Sequence, residues 1–164
     1  MSGRQFNVWV FGDAHVGNDI RFGRESLADA LRHSERGGEK GGDPFPWDIA
    51  VDIGDMCGSQ GLPEDGEGRE VVRQFAALRE HPREAVYSVC GNHDRSGLRE
   101  PAAWWWQKWV DPIGEHTQFS GVDPARRPFP VSGTWERYSF RAGNLLFLMM
   151  SDINEPTQTI GRGD

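Results

Sequence analysis

Three short apolar segments alternate with two amphipathic segments, and this order constrains the fold more than any other feature of the chain. The apolar segments cover residues 6–11, 49–53 and 85–89 and are rich in Val, Ile and aromatic residues, as buried β-strands are. Residues 24–34 and 68–81 lie between them and carry apolar side chains at helical spacing. The sequence therefore predicts a β-α-β-α-β unit with parallel strands and right-handed crossovers.

The remainder of the chain predicts a Trp-rich helix and a β-hairpin. Within residues 99–110, the spacing of Trp105 and Trp109 places both on one helical face, which we expect to pack against the sheet. Residues 135–141 and 145–151 flank the short turn Ala142-Gly143-Asn144 and predict the hairpin. The expected fold class is therefore α/β.

Length, charge and cysteine content narrow the class of protein. The chain has 164 residues, which suits a single domain, and its net charge of −7 argues against an extended nucleic-acid surface. There is no pattern of a secretory signal and no apolar segment of membrane-spanning length, so we expect a cytoplasmic protein without membrane association. Cys57 and Cys90 are too few for a disulfide scaffold, and we expect both to be reduced core residues.

Residue types that ligate metals follow each predicted strand directly. The three motifs are Asp13-Ala14-His15, Gly54-Asp55 and Gly91-Asn92-His93-Asp94. Because the carboxyl ends of parallel strands meet at one edge of a sheet, we expect the motifs to lie together. A pair of divalent ions needs a bridging carboxylate and terminal oxygen or imidazole ligands, all of which occur here. The motifs therefore predict a two-metal site.

The three motifs, in this order, resemble those of the calcineurin-like metallophosphoesterase superfamily over about residues 6–152. The resemblance implies the N-terminal part of a four-layer α/β/β/α sandwich. It also implies that Asp13 and His15 bind one ion, that Asp55 bridges both ions and that Asn92 binds the second. The expected cofactors are two divalent ions of manganese, iron or zinc.

The resemblance also implies a mechanism. A hydroxide that bridges the metals would attack phosphorus in line, and His93 would protonate or stabilise the departing oxygen. Asp94, the second predicted catalytic residue, either orients His93 or ends the turn. The expected substrate-binding residues are Asn92, His93, Arg95 and His116.

Departures from the patterns of individual branches favour a phosphodiesterase. Gly58 stands where purple acid phosphatases carry a Tyr and protein serine/threonine phosphatases carry an Asp. Gly-Asn-His-Asp is more similar to the phosphodiesterase and nuclease-type members. We therefore predict hydrolysis of a small-molecule phosphodiester.

The sequence lacks the later His and the Gly-His-x-His that complete such sites in the superfamily. We therefore expect residues 1–164 to be one domain that is incomplete at its C-terminus, with Leu146, Leu148 and Met150 short of packing partners. A missing C-terminal half or a second copy of the chain would cover them, unless the chain closes around a smaller core. The alternative function is a non-catalytic fragment or pseudoenzyme that binds a partner or a single metal.

Overall fold

Two three-stranded sheets and five α-helices make up the described part of the chain. The structure is a computed structural model, and it describes residues 5–39, 41–58, 62–95 and 104–151. Short 3-10 helices precede the third strand at Arg83–Ala85 and the fourth strand at Pro124–Arg126. In chain order the main elements are β1 (Val8–Phe11), α1 (Val16–Arg21), α2 (Ser26–Arg36), β2 (Ile49–Asp52), α3 (Asp65–Phe75), β3 (Val86–Ser88), α4 (Trp104–Trp109), α5 (Thr117–Ser120), β4 (Ser132–Gly133), β5 (Arg137–Ala142) and β6 (Leu145–Met150).

The first sheet is parallel, with the strand order β1-β2-β3. Val8 pairs with Ile49, and Ala50 pairs with Val86. This arrangement confirms the predicted β-α-β-α-β unit and the α/β class, although each strand is shorter than its apolar segment. The carboxyl ends of all three strands lie at one edge, where the three motifs begin.

The two predicted crossover helices are present with shifted bounds. Helix α2 begins and ends two residues later than the expected 24–34. It is capped at its C-terminus by Gly37, which has φ +67°. The predicted bounds 68–81 for α3 were wrong at both ends. The helix begins earlier because Glu64 and Glu67 form a capping box. It ends earlier because the backbone N–H groups of residues 79–81 instead donate to the buried Glu35 carboxylate.

The main core lies between the helices and one face of the parallel sheet. Trp105 and Trp106 are fully buried there and Trp109 nearly so, which confirms the prediction that these side chains pack in the core. The indole N–H of Trp105 donates to the Glu64 carbonyl, which ties α4 to the start of α3. Residues 96–103, which include the first part of the expected Trp-rich helix, lie outside the described residues.

A second core lies between the two sheets. It contains Ile49 and Tyr87 from the parallel sheet and Tyr138, Phe140 and Met149 from the antiparallel sheet, with the Tyr87 and Phe140 rings stacked at 3.9 Å. The described part of the chain is thus layered as helices, parallel sheet and antiparallel sheet. None of the described helices is both long and apolar enough to cross a membrane.

The second sheet contains the predicted hairpin. Strands β5 and β6 pair from Ala142 and Leu145 outward, across a turn in which Gly143 has φ +61°. The outer face of β6 exposes three large apolar side chains to solvent, as expected. The exposed fractions are 51% for Leu146, 65% for Leu148 and 64% for Met150.

Candidate metal centre

The first and second motifs are joined by a ladder of backbone hydrogen bonds that continues beyond the strands. The N–H of Asp13 donates to the Gly54 carbonyl at 2.9 Å, and the N–H of His15 donates to the Asp55 carbonyl at 3.1 Å. Helix α1 begins at the next residue, Val16. The β1-β2 pairing therefore fixes where His15 and Asp55 lie relative to each other.

The third motif is held against the second by side-chain acceptors. The Asp55 Oδ1 atom accepts the backbone N–H of His93 at 2.9 Å. The Asp94 carboxylate is completely buried and accepts the backbone N–H groups of Asp55, Cys57 and Gly91 at 2.8–2.9 Å. Asp94 therefore lies beneath the motifs and fastens their backbones together, and its catalytic role stays a prediction.

Three side chains, one from each motif, converge at this edge of the sheet. His15, Asp55 and His93 each present a ligand atom, and these atoms all lie within 4.8 Å of one another. The two imidazole rings meet edge to face with centroids 4.9 Å apart. All three residues are partly exposed, so a solute can reach them. No other group of three or more His, Cys, Asp or Glu side chains in the described segments is so arranged.

Asp13 and Asn92 lie at the rim of this cluster. The Asp13 side chain is 73% exposed, and its Oδ1 atom is 3.5 Å from Nε2 of His15. Asn92 is exposed and immediately precedes His93. The structure thus brings His15 and Asp55 together as expected and adds His93 to them, whereas Asp13 is outside the three-residue group.

The two remaining predicted substrate contacts differ in their surroundings. Arg95 is exposed and directly follows the third motif. His116 precedes α5, and its backbone N–H donates to the buried Asp111 carboxylate. His116 therefore belongs to a loop that Asp111 organises, and it is not one of the three clustered residues.

Backbone strain is concentrated in the first two motifs. Among the described non-glycine residues, only four have positive φ, and three of them are Asp13 (+56°), His15 (+43°) and Asp55 (+59°). The left-handed region costs a non-glycine residue about 1 kcal/mol or more, and such strain typically gathers at functional sites. Three strained residues that are also predicted ligands support a functional role for this edge.

Two buried carboxyl groups lie behind the cluster. Burial raises the pKa of Asp52 to about 7 and that of Asp94 to about 8, and the neighbouring Asp55 carboxylate adds to both shifts. Asp52 also adds to the rise in the pKa of Asp94. This electrostatic environment favours a bound cation.

Gly58 is a residue of the site whose structural role the sequence did not reveal. A Cβ atom at this position would lie 2.4 Å from both the carbonyl oxygen of His15 and the backbone nitrogen of Asn18. The second loop can therefore approach the start of α1 only if residue 58 has no side chain. The same close approach explains why a larger residue is absent at this position.

Replacing Gly58 by Ala is expected to lower the free energy of unfolding by about 2 kcal/mol, because the neighbouring atoms are backbone and must move. The change is also expected to displace His15, whose carbonyl oxygen is one of those neighbouring atoms. Gly66→Ala is the matched control, since Gly66 lies in α3 with open space around its Cβ position. That control should raise stability by about 0.5–1 kcal/mol. Urea denaturation of both variants is the measurement, and equal stabilities would contradict this account of the loop.

No family model matches the chain, and no curated protein and no solved structure is significantly similar to it. Inference about function therefore depends on the three motifs and on their geometry.

Proposed function

We propose that this chain is a metal-dependent phosphoric ester hydrolase of the calcineurin-like metallophosphoesterase type, acting on a small-molecule phosphodiester. The observation that carries the proposal is the convergence of the Asp-x-His, Gly-Asp and Gly-Asn-His-Asp motifs at one edge of a parallel sheet. Convergence at the carboxyl ends of strands is where α/β proteins place their sites.

The clustered side chains fit a divalent ion. Two imidazoles and a carboxylate form a mixed nitrogen and oxygen donor set that suits manganese, iron or zinc. In the hydrolase, Asp13 and His15 would hold one ion, Asn92 would hold a second and Asp55 would serve both, which leaves the His93 imidazole to act as the acid. When bound, such ions supply Lewis acidity that activates water and offsets charge on the phosphoryl group.

The chain's own residues would position the substrate and move a proton. His93 is partly exposed at the cluster and held by its backbone bond to Asp55, so its imidazole can deliver a proton to the departing oxygen. Asn92 and Arg95 flank it on the exposed side, where their amide and guanidinium groups can bind phosphoryl oxygens. Asp94 keeps this motif in register with Asp55.

A second candidate function is a pseudoenzyme that binds a single metal or a partner. The composition of the cluster favours it, because three ligand residues are a set for one ion and His93 is among them. If His93 ligates an ion, its imidazole cannot also serve as the acid. Measurement of turnover and of metal binding on the same sample distinguishes the two functions.

Removal of metal tests the proposal. Hydrolysis of bis-p-nitrophenyl phosphate is expected to fall to the uncatalysed rate after dialysis against EDTA, because activation of the attacking water would depend on the bound ions. Added Mn²⁺ should restore the rate, and EDTA already saturated with Mn²⁺ should leave it unchanged. A rate that survives EDTA would contradict the metal-dependent mechanism, whereas Mn²⁺ binding without turnover would support the pseudoenzyme.

We also propose that the helices, the parallel sheet and the antiparallel sheet are three layers of the four-layer sandwich implied by the motifs. The packed faces of the two sheets support this proposal. A cytoplasmic location is proposed as well, because two cysteines are too few for the disulfide scaffold of a small secreted domain.

A further inference from the structure

Asp52 is a completely buried carboxyl group at the end of β2, three residues before Asp55. Its Oδ1 atom accepts the backbone N–H of Gly54 at 3.0 Å. This bond from a side chain to the N–H two residues on closes an Asx turn, which reverses the chain directly after the strand. Asp52 therefore shapes the loop that presents Asp55.

The turn that Asp52 closes is strained. Gly54 has φ +103° and Asp55 has φ +59°, so two successive residues are in the left-handed region. A strained backbone persists only where its surroundings hold it. Two carboxyl groups do so here, since Asp94 binds the N–H of Asp55 and Asp52 binds the N–H of Gly54.

The second oxygen of Asp52 distinguishes it from Asp94. Asp52 Oδ2 is buried without a hydrogen-bond partner among the described residues, and so is the hydroxyl of Ser88, which pairs with Asp52 across β2 and β3. The Ser88 hydroxyl can donate to an ionised carboxylate or accept from a neutral carboxyl group, so it does not decide between the two forms. Complete burial favours the neutral form, because that form places no charge in the core.

Burial favours the neutral form of Asp52, and it outweighs the Gly54 N–H, the Ser88 hydroxyl and the Arg83 guanidinium, which favour the ionised form. Burial, with a contribution from Asp55, raises the pKa of Asp52 to about 7. The charged and titratable neighbours are Asp55, Asp94, Arg83 and Tyr138.

We propose that Asp52 is a positioning residue of the metal centre, a buried carboxyl group that acts as a neutral hydrogen-bonding side chain and holds the Gly54-Asp55 turn in its ligand-presenting conformation. It contributes to metal affinity through the geometry of Asp55, without contacting the ion and without supplying charge. The inference rests on the metal centre proposed above.

The test is Mn²⁺ binding at pH 6 by isothermal titration calorimetry to the whole chain and its variants. Asp52→Asn keeps the acceptor for Gly54 and is expected to stay within about threefold of the unaltered affinity. Asp52→Ala loses the acceptor and is expected to bind about 10-fold more weakly or worse, as for other supporting residues of metal sites. Glu84→Gln is the matched control, because Glu84 is equally buried but lies just before the start of β3, at the edge of the sheet opposite to the metal centre. It should bind Mn²⁺ like the unaltered chain.

Several outcomes would overturn the role of Asp52. If Asp52→Asn binds Mn²⁺ as weakly as Asp52→Ala, the charge of the carboxylate is needed. If Asp52→Ala binds Mn²⁺ as tightly as the unaltered chain, the turn does not need Asp52. If the Ala variant fails to fold, the Asn variant decides alone, and a loss of 10-fold or more overturns the proposal. No Mn²⁺ binding by the unaltered chain would overturn both the centre and this role, whereas binding without phosphodiester hydrolysis would overturn the proposed function alone.

Thermal unfolding in EDTA tests the protonation state of Asp52 in the metal-free chain. An acid whose pKa is higher in the folded protein stabilises it most below its ordinary pKa and loses that contribution as pH rises to the folded value. The unaltered chain should therefore lose stability relative to Asp52→Asn as the pH rises from 5 to 8. The Tm difference in favour of Asn is expected to grow by at least about 2 °C. A Tm difference that stays constant with pH, or that changes in the opposite direction, would contradict the claim that the Asp52 carboxyl group is neutral.

Discussion

Replacing Asp55 by Ala is expected to reduce Mn²⁺-dependent hydrolysis of bis-p-nitrophenyl phosphate by about 100-fold or more. Loss of a residue that merely supports a metal ligand typically costs 10-fold to 100-fold, and Asp55 is the only carboxylate of the three-residue cluster. Its Oδ1 atom also accepts the N–H of His93, so the change releases the third motif as well. Initial rates at saturating Mn²⁺ are the measurement.

A surface acid provides the control for this experiment. Asp43 lies in the exposed loop after α2, and Asp43→Ala is expected to retain the unaltered rate. Equal rates in the unaltered chain and in Asp55→Ala would contradict catalysis at this centre.

Asp94→Ala is expected to give the largest loss of folding stability, about 3–6 kcal/mol, even without metal. The substitution leaves the backbone N–H groups of Asp55, Cys57 and Gly91 without their acceptor, and each buried donor left unpaired costs about 1–3 kcal/mol. Asp94→Asn should lose less stability than Asp94→Ala. The amide keeps one oxygen as an acceptor, and only its new NH2 group is placed against a backbone N–H donor. Urea denaturation in EDTA measures both variants.

Asp123→Ala is the matched control for Asp94→Ala. The Asp123 carboxylate also accepts a backbone N–H, from Ala125, but the bond is exposed and local. Its loss is expected to cost about 1 kcal/mol or less. A cost below about 1 kcal/mol for Asp94→Ala would mean that Asp94 does not fasten the three motifs together.

The strands and the convergence of the motifs were predictable from local sequence. Apolar segments rich in β-branched residues marked β1, β2 and β3, and two helical crossovers made parallel pairing the expected arrangement. Parallel pairing brings the three motifs to the same edge of the sheet. The hairpin of β5 and β6 was equally predictable from local sequence, because the turn at Gly143 favours antiparallel pairing of the two flanking segments.

The features that were not predictable depend on contacts between distant residues. Helix α3 ends early because the Glu35 carboxylate, more than forty residues away, accepts the N–H groups of residues 79–81. In the same way, nothing near Asp94 in the sequence shows that it binds the N–H groups of Asp55 and Cys57. Pattern and propensity describe neighbours along the chain, so they could not assign these roles.

The grouping of His93 with His15 and Asp55 also required the structure, since sequence spacing does not say which side chain of Gly-Asn-His-Asp turns toward Asp55. The N–H bond from His93 to Asp55 decides the position of this motif. The positive φ values of Asp13, His15 and Asp55 likewise could not be predicted from the sequence. Asp tolerates the left-handed region better than most residues, which is the only local signal for them.

Diffraction from crystals soaked in Mn²⁺, recorded for anomalous scattering from manganese, tests the central claim most directly. We predict an anomalous peak between His15 and Asp55 at ligand distances of about 2.0–2.3 Å, with its coordination completed from His93, Asp13, Asn92 or water. The peak should be absent from crystals of Asp55→Ala. Mn²⁺-soaked crystals of the unaltered chain without density at this position would contradict the metal centre and every function proposed from it.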